Sequence, residues 1–174
     1  MTEYHLRPLT AEDAEAYRTF RLFMLAEAPT AFGSHHDEAA QLPLENFRER
    51  ASYVKDNFII GAFSKTDEQL VASAGGLREQ ALKRRHLGLI WGMYVHPDHR
   101  GAGLGTRLLN NVLARLEELN GVSAVGLSVT VGNKPALALY ESAGFEAWGE
   151  EPLALRVDGA DHAELHMIRR LGTD

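Results

Sequence analysis

The fold is decided by one stretch, Val95-His96-Pro97-Asp98-His99-Arg100-Gly101-Ala102-Gly103-Leu104-Gly105-Thr106. It lies between a β-rich segment, residues 86–96, and residues 106–119, whose leucines and valine recur at helical spacing. Glycines let the backbone approach a ligand closely, and the free N–H groups of a helix's first turn attract anions together with the helix dipole. The stretch therefore predicts a pyrophosphate site.

Spacing excludes two common phosphate-binding motifs. A dinucleotide fingerprint, G-x-G-x-x-G, would need a glycine at Thr106 or at Leu108, depending on where it starts. A P-loop would need a lysine between a glycine and a serine or threonine, but Gly105 is followed directly by Thr106. The pattern that remains is Arg-x-x-Gly-x-Gly at residues 100–105.

This pattern resembles the R/Q-x-x-G-x-G/A signature with which the GNAT superfamily of acetyl-CoA-dependent N-acetyltransferases binds its cofactor, and it matches every specified position. Upstream, residues 91–97, Trp-Gly-Met-Tyr-Val-His-Pro, are similar to the family's fourth strand. Downstream, residues 133–145 are similar to its second motif, an asparagine followed by Leu-Tyr and Gly-Phe. Two motifs in the family's order make coincidence a poor explanation.

The resemblance implies the α/β GNAT fold, a mixed, mostly antiparallel sheet with flanking helices and a splayed parallel pair of fourth and fifth strands. We expect one such domain over residues 1–174, which suits the usual domain size. The sequence pattern predicts strands at 4–9, 57–64, 69–78, 86–96 and 122–131, then strand from Phe145 onward with a hairpin of 153–157 and 162–171. It predicts helices starting after Thr10 and at 44–53, 106–119 and 133–143. Residues 29–37 are predicted to form a loop.

Composition excludes several functions. The formal net charge is −6 and no long basic block occurs, so we expect no nucleic-acid partner. No apolar run has the length of a signal peptide or a membrane span, so we expect no membrane partner and a cytoplasmic location. Cysteine is absent, and His162 and His166 would stand about 13 Å apart on a strand, so no metal site is predicted.

The resemblance assigns cofactor binding to both motifs and to the end of the fourth strand. Backbone groups near Val95 are expected to pair with the pantetheine arm, and the Val95 N–H to stabilise the oxyanion. The positions implied are Met93, Tyr94, Val95, Arg100, Gly101, Ala102, Gly103, Leu104, Gly105, Thr106, Asn133, Ala136 and Tyr140.

Two catalytic residues are expected. Tyr140 resembles the family's general acid, the tyrosine that protonates the departing thiolate, although an aromatic residue in this helix could also simply pack in the core. The predicted fourth strand contains no acidic residue, so His86 at its start is the candidate general base, with Glu79 as the second choice. A strand-end histidine can equally be structural.

The predicted function is transfer of an acetyl group from acetyl-CoA to a primary amine of a small molecule or protein, within a ternary complex. The alternative is a non-catalytic acyl-CoA-binding or sensing module. The absence of an acidic residue from the predicted fourth strand favours this alternative, whereas the presence of Tyr140 as a possible general acid disfavours it. No motif specifies the acceptor. An exposed last strand could pair across a homodimer.

Overall fold

The computed structural model describes residues 3–172 and contains a seven-stranded sheet with helices on both faces. Its strands are β1 (Tyr4–Pro8), β2 (Asn57–Ser64), β3 (Leu70–Arg78), β4 (Leu87–Val95), β5 (Ala124–Thr130), β6 (Glu146–Val157) and β7 (Ala160–Arg170). Its α-helices are α1 (Ala14–Glu27), α2 (His36–Ala40), α3 (Leu44–Ala51), α4 (Leu104–Glu117) and α5 (Lys134–Ser142). The first two and last two residues of the predicted domain lie outside the described residues.

The strands are ordered β1-β2-β3-β4-β5-β7-β6, and every neighbouring pair is antiparallel except β4 and β5. This confirms the predicted mixed sheet with one parallel pair. The expectation that the last strand is an exposed edge is wrong, because β7 lies between β5 and β6. The strand at that edge is β6, which exposes Trp148 and Leu153.

Apolar clusters cover both faces of the sheet. The α4 and α5 face is filled by the buried side of α4, whose first turn follows the glycine stretch and whose leucines recur every three to four residues. The opposite face is packed against α1 and α3. Most of each sheet face is therefore covered by helices.

The parallel strands β4 and β5 separate soon after they meet. They pair only at Leu87–Ala124, Gly88–Val125 and Leu89–Gly126, so the second half of β4 has no partner on this side. Unpaired backbone groups in such a gap need another partner. The splay predicted between these strands is therefore present, and it opens toward the glycine stretch.

A β-bulge in β4 changes which face its later side chains occupy. Ser73 pairs with Tyr94 and Gly75 with Trp91, so β4 has one more residue than β3 between these pairs. Gly92, at the bulge, has a φ of +59°, a left-handed conformation that favours glycine. Since side chains alternate along a strand, the extra residue turns Met93 and Val95 toward α4.

The predicted loop at 29–37 is partly ordered into helical turns. Pro29–Ala31 forms a short 3₁₀ turn, and α2 begins at His36. The His35 side chain accepts a hydrogen bond from the backbone N–H of Asp37 at 3.2 Å and so caps α2. No helix among residues 3–172 is long and apolar enough to cross a bilayer.

Candidate active site

A cavity of about 820 Å³, the glycine-turn cavity, lies where β4 and β5 diverge. Its wall includes the residues expected to bind cofactor, with the exception of Ala102: Met93, Tyr94, Val95, Arg100, Gly101, Gly103, Leu104, Gly105, Thr106, Asn133, Ala136 and Tyr140. Residues from the α1–α2 connection complete it. The two sequence motifs, more than 25 residues apart in the chain, thus meet around one space.

The first turn of α4 presents free backbone donors to this cavity. Gly103 precedes the helix with a φ of +71° and has no side chain to cap it. The first bond of the helix runs from the Arg107 N–H to the Gly103 carbonyl at 3.1 Å, so the N–H groups of residues 104–106 have no acceptor within the helix. No acidic residue stands in this turn, which leaves its positive end available to an anion.

Val95 directs its backbone into the gap between the strands. The His96 N–H donates to the Val71 carbonyl at 2.9 Å, and Val95 stands opposite Ala72. This register makes Val95 and Ala72 a non-hydrogen-bonded pair, so the N–H and C=O of Val95 point away from β3. The Val95 carbonyl accepts from Arg100 Nε at 3.0 Å.

Arg100 is held in place by the end of α1. Its Nη2 lies 3.3 Å from Glu27 Oε2, and the same oxygen accepts a hydrogen bond from the Tyr94 hydroxyl at 2.6 Å. The Tyr94 hydrogen bond and, secondarily, the charge of Arg100 hold the pKa of Glu27 below its usual value. Arg100 therefore orders the strand end, and its charge is shared with a carboxylate.

Tyr140 lies on α5 with its ring against Phe145 and its side chain 7% exposed. Burial raises the pKa of Tyr140 to about 12, so its phenol stays protonated at neutral pH. Within residues 3–172 no hydrogen bond involves its hydroxyl. The residue packs in the core and also lines the cavity, so the structure is compatible with both roles considered from the sequence.

A second cavity, of about 600 Å³, lies on the opposite face of the sheet between α1, β4, β5 and β7; we call it the α1–β7 cavity. Ala31 and Phe32 line both cavities, so the two spaces adjoin at the strand gap. Polar groups on the wall of the second cavity include Arg21, Ser34, Arg84, Ser128, Glu164 and His166.

Glu164 on β7 is a functional candidate that sequence reasoning missed, and its neighbour His166 was considered only as a metal ligand. Burial raises the pKa of Glu164, and it stands opposite Thr130, which lines the glycine-turn cavity. The His166 ring nitrogens lie 2.9 Å from Ser128 Oγ and 3.0 Å from Glu151 Oε2. The sequence offered no signal that they line a cavity, because β7 reaches β5 only through the order of strands in the sheet.

His86 is not brought to either cavity. It lies exposed in the turn before β4, and its carbonyl accepts from the backbone N–H of Ser123. The length of β4 separates it from Val95 by about 26 Å. Glu79, the second choice, forms an ion pair with Arg84 and also lines neither cavity. The geometry therefore argues against both sequence-based candidates for the base.

His162 and His166 do not line the same cavity. His162 lines the glycine-turn cavity and His166 the α1–β7 cavity, while His36 lies 2.9 Å from the Asp37 carboxylate at the surface. Among residues 3–172 no three histidine, aspartate or glutamate side chains are grouped closely enough to hold a metal ion.

Comparison with known proteins assigns the chain to a family. The profile of the Acetyltransferase (GNAT) family matches residues 20–145, which include the second half of α1, the strand gap, the glycine turn and α5. The chain belongs to this family. Its resemblance to the superfamily, inferred from two short motifs, is thereby confirmed.

Relatives show how far this assignment extends. Mycothiol acetyltransferase of Thermobifida fusca (strain YX) is 29% identical over 173 residues, 90% of this chain and 51% of that protein. The ribosomal protein bS18-alanine N-acetyltransferase of Escherichia coli (strain K12) is 41% identical over 56 residues, 32% of this chain and 37% of that protein. The chain spans about half the length of the mycothiol acetyltransferases that it matches.

Among solved structures, a GNAT-family acetyltransferase from Streptococcus pneumoniae superimposes with a TM-score of 0.83. It shares 20% sequence identity, and the alignment covers 97% of this chain and 100% of the other. At this identity the likeness supports the fold, while the acceptor must be argued from the residues of this chain.

Proposed function

We propose that this protein transfers the acetyl group of acetyl-CoA directly to a primary amine, with donor and acceptor bound together in a ternary complex. The observation that carries the proposal is the pair of cavities that adjoin at the gap between β4 and β5. One contains free backbone donors suited to a pyrophosphate, and the other contains side chains suited to a small polar molecule. Donor and acceptor would enter from opposite faces of the sheet.

The residues of the glycine-turn cavity fit acetyl-CoA, which supplies an acyl group activated as a thioester. The first-turn N–H groups of Leu104, Gly105 and Thr106 would bind its phosphates, since no group of the helix itself satisfies them. The N–H of Val95 points into the strand gap, where it would stabilise negative charge on the carbonyl oxygen during transfer.

Proton movement requires an acid and a base on opposite sides of the reacting bond. As the nitrogen–carbon bond forms and the carbon–sulfur bond breaks, Tyr140 would donate its hydroxyl proton to the departing sulfur. Glu164 would accept the proton of the amine, because its pKa is raised by burial and it lies beside the strand that borders both cavities. His86 is not proposed for this role, because it lines neither cavity.

A panel of primary amines, followed by release of free thiol from acetyl-CoA, tests the reaction. We expect turnover with some amines, and calorimetry should show acetyl-CoA binding. Tyr140→Phe should lower kcat about 10²–10⁴-fold and change the Kd for acetyl-CoA little, since the ring remains. The matched control is Tyr53→Phe, because Tyr53 is exposed and lines neither cavity.

Two results would contradict the proposal. Binding of acetyl-CoA without acetylation of any amine would favour the acyl-CoA-binding module over the enzyme. Near wild-type turnover of Tyr140→Phe, with an acceptor whose chemical step is rate-limiting, would show that water rather than Tyr140 protonates the thiolate.

A further inference from the structure

Arg21 is a buried cation in the wall of the α1–β7 cavity. It lies on α1, and its side chain is 5% exposed. Three other residues of the cavity wall surround its guanidinium. Phe32 has its ring centroid 5.4 Å away, Ser34 Oγ lies 3.2 Å from Nη2, and a Cβ built on Gly92 would lie 3.2 Å from Nη1. The charged end of the side chain is thus at the cavity.

No carboxylate of residues 3–172 neutralises this charge. The ion pairs of the described chain include Arg7 with Asp13 and Arg85 with Asp56, but none contains Arg21. Its Nε has no hydrogen-bond partner, and Nη1 approaches only the Met24 sulfur, at 3.9 Å. Burial lowers the pKa of Arg21, as expected for a cation that has lost water without gaining an anion.

Trp91 also lines the cavity, but its indole Nε1 is buried without an acceptor against Gly75 of β3 and offers no donor to a ligand there. The guanidinium of Arg21 is therefore the group of this wall that calls for a partner, since buried polar groups are nearly always paired in folded proteins. An unpaired buried charge is costly, and a ligand that carries one negative charge would offset that cost.

We propose that the α1–β7 cavity binds an acceptor that carries a carboxylate as well as its amine, with the carboxylate paired to Arg21. A guanidinium fork matches a carboxylate in shape and charge, and one buried positive charge calls for one negative charge. Glu164 is the acidic side chain on the same cavity wall and would face the amine. This inference rests on the proposed acetyl transfer and adds the acceptor class, a small amino acid-like molecule.

The test compares α-amino acids with their own carboxamides, which keep the amine and side chain but lose the negative charge. With acetyl-CoA in excess, we expect kcat/KM to be about 10- to 100-fold higher for the best acids than for their carboxamides, mainly through KM. At neutral pH a larger fraction of the carboxamide's amine is unprotonated and reactive. This would favour the carboxamide, so a preference for the acid cannot come from amine reactivity.

Variants of Arg21 assign the preference. Arg21→Met keeps the volume and removes the charge, so it should lower kcat/KM for the acid at least 10-fold and leave the carboxamide unchanged. Arg21→Lys keeps the charge without the planar fork and should retain the preference at a higher KM. Arg48→Met, on the exposed face of α3, should change neither substrate. Equal losses for acid and carboxamide, or no preference in the wild type, would overturn the proposal.

Thermal unfolding separates a binding role from a structural one. Without ligand, Arg21→Met should have a Tm at least equal to that of the wild type, because an unpaired buried charge is removed. With CoA present, amino acids should raise the Tm of the wild type and leave that of Arg21→Met unchanged. If acetyl-CoA binds but no amine is acetylated, the proposed reaction fails, and the rise in Tm with amino acids becomes the test of the carboxylate site. Without that rise in the wild type, the proposed carboxylate site is overturned.

Discussion

A glutamate at Thr106 should stabilise the fold and weaken cofactor binding. Thr106 is exposed, lies in the first turn of α4 and lines the glycine-turn cavity. That turn contains no acidic residue, so Thr106→Glu adds a favourable charge to the positive end of the helix. The expected gain in the free energy of unfolding is about 0.3–1 kcal/mol.

The same charge should repel the pyrophosphate. Two negative charges about 6 Å from the new carboxylate, at an effective dielectric constant of about 40–80, give a repulsion of roughly 1.4–2.8 kcal/mol. This corresponds to a rise in the Kd for acetyl-CoA of about 10- to 100-fold. Because the site is exposed, added salt should reduce the difference.

Calorimetry with acetyl-CoA and urea unfolding measure the two effects on the same variant. Thr106→Gln has a similar size without the charge and should bind nearly as the wild type does. Asn110→Glu places the same charge on the exposed side of α4 outside the cavity and should leave the Kd unchanged. If Thr106→Glu binds acetyl-CoA as tightly as Thr106→Gln, the start of α4 is not the phosphate site.

Three further results are expected. Tyr140 has a native pKa raised from 10 to about 12, so its contribution to stability is present below pH 10 and is lost as pH rises through 12. The loss in the free energy of unfolding, about 1.4 kcal/mol per pH unit and roughly 3 kcal/mol in all, should be absent when Tyr140→Phe is titrated with base. An identical loss in that variant would mean that a group other than Tyr140 causes it. Glu164→Gln should lower kcat about 10²–10⁴-fold and remove the acidic limb of the pH–rate profile. In the wild type, the raised pKa of Glu164 shifts that limb to higher pH. His86→Gln should leave that limb in place, whereas its disappearance would restore His86 as the base.

The fold was predictable because its decisive features are local. The glycine stretch, the apolar spacing of α4 and the Leu-Tyr of α5 are each contained within a dozen residues, and the comparisons confirm the family that they indicate. The short helix α2 was not predicted, because its start depends on the side chain of His35 capping the turn. The edge position of β6 was not predicted, because hydrophobic alternation does not specify which strand a hairpin presents to its neighbour.

The acceptor side of the site was harder to predict for the same physical reason. Glu164 reaches the cavity because β7 inserts beside β5, and no spacing in the sequence reports that insertion. Arg21 lies on the buried side of α1 with Tyr17 and Met24. Periodicity does not reveal that a buried arginine lacks an anion, which depends on every side chain around it.

Gly92 connects the two cavities through one backbone position. Its positive φ makes the bulge that turns Met93 and Val95 toward the glycine-turn cavity, and no ordinary side chain adopts that conformation without strain. On the other face, a Cβ at Gly92 would crowd Arg21 Nη1 at 3.2 Å. A single glycine therefore aims the backbone at the cofactor and leaves space for the guanidinium that we assign to the acceptor. Since both requirements fall on one residue, a substitution at Gly92 is expected to disturb the two proposed sites together.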